Sequence, residues 1–119
     1  MSGGTEKLAI LLWAAPLDEP ELLRAPFVYA AAAAALDAEV EMHFSGRTVR
    51  LLVADAENRE IRQYMTEVAA EGVRFVGCST ALKRHVREGE RMIAEFGGAA
   101  GAASFAQRAL DPEWRTLVF

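Results

Sequence analysis

Apolar runs of strand length alternate with helix-patterned segments along the whole chain, and this alternation limits the fold more than any other feature. Residues 7–13 read as a first strand, apolar from Leu8 onward, and the stretch after it to Pro20 reads as a loop. A helix follows to about Leu36, with Pro26 early in it, where a missing N–H costs least, and an alanine run that favours close packing. Val40-Glu41-Met42-His43-Phe44 alternates, so Glu41 and His43 share one face. A central parallel strand is apolar on both faces, which predicts this one at a sheet edge or under a partner subunit. Ser45-Gly46-Arg47 breaks the strand and residues 48–52 read as a helical turn. Ile61, Tyr64, Met65, Val68 and Ala69 fall on one helical stripe, with Gly72 as its stop.

Residues 73–78 form a short apolar strand, and Ser79 and Thr80 suit the N-cap of a helix over 81–86, broken near Gly89. Met92, Ile93 and Phe96 predict a further turn. Gly97-Gly98 is read as opening a helix with Ala102, Phe105, Ala106, Ala109 and Leu110 on its apolar side. Asp111-Pro112 ends it, and residues 114–119 form a last strand. Together these predict an α/β layered domain, a mostly parallel sheet of about four to five strands with helices on both faces. At 119 residues the chain is expected to be one domain over residues 1–119.

Charge and hydropathy narrow the function classes. Thirteen Lys and Arg against seventeen Asp and Glu leave a net charge of -4, which argues against a nucleic-acid partner, since phosphate binding needs a basic face. The apolar run at 8–15 mimics a signal-peptide core, yet Glu6 and Lys7 cancel in front of it and remove the basic flank. The apolar stretch at 27–36 is half the length of a membrane span. The expectation is a soluble, cytoplasmic chain with no membrane contact.

Cys78 is the one cysteine and stands where a strand gives way to a helix. Unpaired N–H groups at a helix start favour thiolate over thiol, and open parallel sheets put ligand sites at the carboxyl ends of strands. A packed small hydrophobe is the other reading of the same residue. Without a second cysteine a C-x-x-C dithiol mechanism is excluded. Cys78, His43 and His85 lack tight metal spacing, so neither metal nor cofactor is expected, and each histidine reads as a surface or edge residue. Ser79, Thr80, Lys83 and Arg84 follow Cys78 closely, and Arg47 ends another strand, so these five are the candidates to hold an anion beside the sulfur. Cys78 and Arg84 also have the C-x5-R spacing of cysteine phosphatases and arsenate reductases, and Asp111-Pro112 matches the acid of the low-molecular-weight phosphatases. That chemistry needs a loop whose amides converge on an oxyanion, and residues 79–83 contain no glycine to shape one.

Read in order, residues 8–13, Phe27-Val28-Tyr29 with the alanine run, residues 38–52, Phe75 through Leu82 and the ending from Gly97-Gly98 to Phe119 resemble the DsrE/DsrF-like family, whose fold is also called YchN-like. The resemblance implies a small α/β domain that assembles into trimers or hexamers. It also implies sulfur carried as a cysteine persulfide, taken from a donor and passed to an acceptor protein thiol, with Cys78 at the matching position. A non-catalytic oligomer that binds a small ligand or serves structurally is the alternative within the same family. Phe27, Tyr29 and Trp114 are expected to add apolar surface that a homo-oligomer would cover.

Overall fold

The computed structural model describes residues 5–54 and 59–119. Five strands, β1 (Lys7–Leu12), β2 (Glu39–Phe44), β3 (Arg74–Cys78), β4 (Phe96–Ala100) and β5 (Trp114–Val118), form one sheet in the order β4-β3-β2-β1-β5. Every neighbouring pair runs parallel. The helices are α1 (Pro20–Ala35), α2 (Arg59–Ala70), α3 (Ser79–His85) and α4 (Ala102–Leu110), and a 3-10 helix (Gly46–Leu52) follows β2.

Chain direction decides which face each helix covers. From β1 to β4 the strands step steadily toward one edge, so right-handed crossovers put the connecting helices on one face. The step from β4 to β5 reverses across the whole sheet, and the same handedness sends α4 to the opposite face.

The first face holds the core. Ile10, Leu12, Val40, Met42, Phe44 and Phe75 meet Leu23, Phe27 and Ala30 of α1 and Ile61, Met65 and Val68 of α2. Phe44 stands between Phe27 and Phe75, with ring centroids 6.3 and 5.5 Å away. Each such buried side chain contributes roughly 1.5–3 kcal/mol. Helix ends follow backbone chemistry: Gly72, at φ 96°, closes α2 as expected, and Val73 N–H reaches back to Val68 O at 3.1 Å. Asp37 takes the equivalent left-handed position after α1.

Several expectations need correction. β2 is the central strand, not an edge strand, and its polar face is covered by the chain's own α4. Gly97-Gly98 lies within β4 instead of opening a helix: a Cβ at position 97 would stand 2.6 Å from Phe75 O, so only glycine allows this approach to β3. Pro20 occupies the start of α1 and Pro26 lies inside it. Phe27 and Trp114 are buried within the chain, leaving Tyr29 as the exposed member of that trio. The inward side of α4 carries Phe105 and Arg108, while Ala106, Ala109 and Leu110 are exposed and Ala102, also exposed, lies at the margin of the cavity beside Cys78.

Candidate functional site

Cys78 is the last residue of β3 and the N-cap of α3, with extended backbone (φ -65°, ψ 122°). Ser79 and Thr80, expected as caps, are instead the first residues of the helix. Strand alternation turns Cys78 to the same face as Val76 and His43, and at the strand end it also packs against the margin of the core. It is half-buried and pairs with Ala100 of β4.

On that face the side chain borders a cavity of about 120 Å3 at the carboxyl end of the sheet. Leu11 and Trp13 contribute from β1 and its extension, His43 and Ser45 from β2 and its end. Val76, Ala100 and Phe105 complete most of the remaining wall. A threonine ties the adjoining strand ends. Thr48 Oγ1 lies 2.8 Å from Leu12 O and 2.7 Å from Ser45 O, and accepts the Ser45 N–H at 3.1 Å. The ends of β1 and β2 are thereby held together where the cavity begins.

Beneath His43 runs a buried ionic chain. Arg108 of α4 donates two hydrogen bonds to Glu41, Nε to Oε1 at 3.1 Å and a terminal nitrogen to Oε2 at 2.9 Å. His43 Nε2 lies 2.9 Å from Glu41 Oε1. A carboxylate only accepts, so this nitrogen carries the proton. Burial alone would raise the Glu41 carboxyl, but hydrogen bonds and charge from Arg108 and His43 outweigh it and hold the group below the ordinary glutamate range. The same bonds raise Arg108. Phe105 packs edge-on against the imidazole at 5.3 Å, and Trp114 lies under the guanidinium at 4.2 Å.

The candidate anion-holding residues do not gather around the sulfur. Lys83 and Arg84 are exposed in the last turn of α3, and Arg47 is exposed in a neighbouring depression with Trp13, Pro16 and Asp18. Ser79 and Thr80 turn away from the cavity wall, which holds no Arg or Lys. The C-x5-R segment is helical from Ser79 on, so the amide cradle of a phosphatase loop does not form. Among the described residues, no three His, Cys, Asp or Glu side chains converge as a metal-binding group, and no helix is long and apolar enough to cross a membrane.

The cluster of Glu41, His43 and Arg108 beside the cavity was not foreseen from the sequence. The available signal was two polar side chains two apart in an otherwise apolar strand. Such a pair on an inner face demands a buried counter-charge.

The family model of the DsrE/DsrF-like family matches residues 7–119. The chain belongs to the DsrE/DsrF-like family. Its fold is similar to MTH1491 from Methanobacterium thermoautotrophicum, a protein of unknown function, with TM-score 0.75 and 16% identity over 98% of this chain and 100% of that one. The ychN protein from E. coli is similar too, with TM-score 0.70 and 16% identity over the same shares. BT1422 from Bacteroides thetaiotaomicron follows with TM-score 0.63 and 13% identity, covering 96% and 95% of the two chains. Among curated proteins no sequence match was found.

Proposed function

We propose that this DsrE-like chain is a single-cysteine persulfide carrier, acting as one domain in the cytoplasm. The observation that carries this reading is the position of Cys78: half-buried in an apolar cavity at the carboxyl end of a parallel sheet, in a family linked to sulfur relay. Cys78 thiolate attacks the outer sulfur of a donor persulfide, the donor's S–S bond breaks, and the donor leaves as thiolate. An acceptor thiolate then takes the outer sulfur from Cys78 by the same exchange, with no net oxidation. An apolar wall excludes the water and stray thiols that would discharge the persulfide early.

The partners are a donor and an acceptor protein thiol. Homo-oligomerisation to a trimer or hexamer fits the outward apolar surface at Leu110, Leu117 and Val118, which are 85%, 38% and 62% exposed. Incubation with a low-molecular-weight persulfide followed by intact-mass measurement tests the reading: one added sulfur, a gain of about 32 Da, on the wild type and none on Cys78→Ser. An adduct that survives the substitution, or no adduct on the wild type, overturns it.

A further inference from the structure

We infer that His43 is the proton acceptor of the Cys78 thiol, with Glu41 and Arg108 as positioning residues that fix its tautomer. The inference rests on the reading of Cys78 as the reactive thiol and adds a residue to that site.

Four observations converge on it. His43 is only 6% exposed, yet its ring borders the cavity that Cys78 also borders. Its Nε2–H is committed to Glu41, and among the described residues no hydrogen bond uses Nδ1. The free lone pair of a neutral imidazole therefore lies on Nδ1. Register puts His43 beside Val76, so Cys78 stands one diagonal place further along the adjoining strand, on the same face. Finally, Glu41 is kept ionised by the two bonds from Arg108, which stops the carboxyl from donating to the ring and reversing its tautomer.

The arrangement is an acid-oriented histidine that shares a cavity with a thiol, assembled from β2, β3 and α4, and a water in that cavity can relay the proton between them. The charged or titratable groups around the imidazole are Glu41 from its own strand, Arg108 from α4 through that carboxylate, and Cys78 from β3. β1 and β4 present Leu11, Trp13 and Ala100 to the shared cavity, none of which titrates. The proton path is balanced. The S–H bond of Cys78 breaks and an N–H bond forms at Nδ1, leaving a thiolate beside an imidazolium whose other N–H stays on Glu41. After the thiolate takes the outer sulfur of the donor persulfide, the departing donor thiolate receives the proton from Nδ1.

Alkylation of Cys78 by iodoacetamide, followed by intact mass on the full-length chain across about pH 5 to 10, tests this without any sulfur donor. The base assignment therefore stands or falls apart from persulfide loading. His43→Gln keeps an N–H donor for Glu41 and removes the basic nitrogen. The wild type is expected to react at least about tenfold faster than His43→Gln near pH 6.5, the two rates converging above about pH 9.5, where solvent forms the thiolate unaided. Superimposed profiles, or an offset constant at every pH, overturn the inference. Should His43→Gln not fold, NMR titration of the His43 ring in wild type and Cys78→Ser replaces it. Coupling to the thiol moves the midpoint between the two chains, and an unmoved midpoint refutes the assignment.

Discussion

Replacing Arg108 by Met removes the guanidinium but keeps an unbranched side chain over Trp114, and so isolates the charge that Glu41 loses. Glu41 is 4% exposed and would retain only the His43 hydrogen bond. Removing one partner of a fully buried ion pair costs about 3 to 5 kcal/mol. The Arg108 side chain is 32% exposed, so solvent already weakens its end of the pair. The stacking on Trp114 is lost too, worth about 0.5–1 kcal/mol. The expected destabilisation is about 2 to 3 kcal/mol at pH 7, and with a urea slope of about 1–3 kcal/mol/M the unfolding midpoint falls by roughly 0.7 to 3 M.

Acid supplies the control. In the wild type the folded Glu41 carboxyl is depressed, so its stabilisation is present above the unfolded glutamate range and fades as pH falls through the lower folded value. In Arg108→Met burial acts with less opposition and the carboxyl picks up a proton earlier, relieving its cost. The gap between the two proteins must therefore shrink as pH falls from 7 toward 4. A loss under about 0.5 kcal/mol at pH 7, or a gap that stays constant with pH, refutes the assignment of Arg108 as the counter-charge of Glu41.

Two further outcomes are expected. Gly97→Ala drives a Cβ toward Phe75 O and lowers stability by about 1 to 3 kcal/mol in urea unfolding, whereas Gly101→Ala, with nothing within 4 Å, changes it by under about 0.5 kcal/mol. The Glu90 carboxyl is lowered to about 2 by the Arg50 hydrogen bond at 2.6 Å, then by the Arg87 N–H at 2.7 Å, so its contribution is present above the unfolded glutamate range and is lost progressively as pH falls from there through about 2; a 13C titration finding an ordinary glutamate midpoint would refute it.

How much of this was readable in the sequence depends on whether the deciding contacts are local. β1, β3, β5, α2 and the Gly72 stop follow from apolar runs, a periodic stripe and turn chemistry that neighbouring residues carry by themselves. β4 does not: Phe96-Gly97-Gly98-Ala99-Ala100 lacks β-branched residues and becomes a strand because glycine lets it approach β3. The central place of β2 was hidden for a related reason. A polar strand face can be central once its charges are paired, and the partner of Glu41 lies 67 residues further along the chain. The place of Cys78 at a strand-to-helix junction was legible from the apolar run and the helix-patterned residues after it. Lys83 and Arg84 were grouped with Cys78 by proximity in sequence, but helix geometry carries them away.

The two tryptophans give the molecule a pair of separable optical reporters. Trp13 is 61% exposed on the rim of the Cys78 cavity, whereas Trp114 is 8% exposed with a guanidinium over its ring. Replacing either by Phe leaves emission from one known place. A chain keeping only Trp13 reads events at the cavity mouth as a change in colour or quenching. A chain keeping only Trp114 reads whether α4 stays seated, so events at the cavity mouth and helix undocking can be followed separately by emission from one known place each.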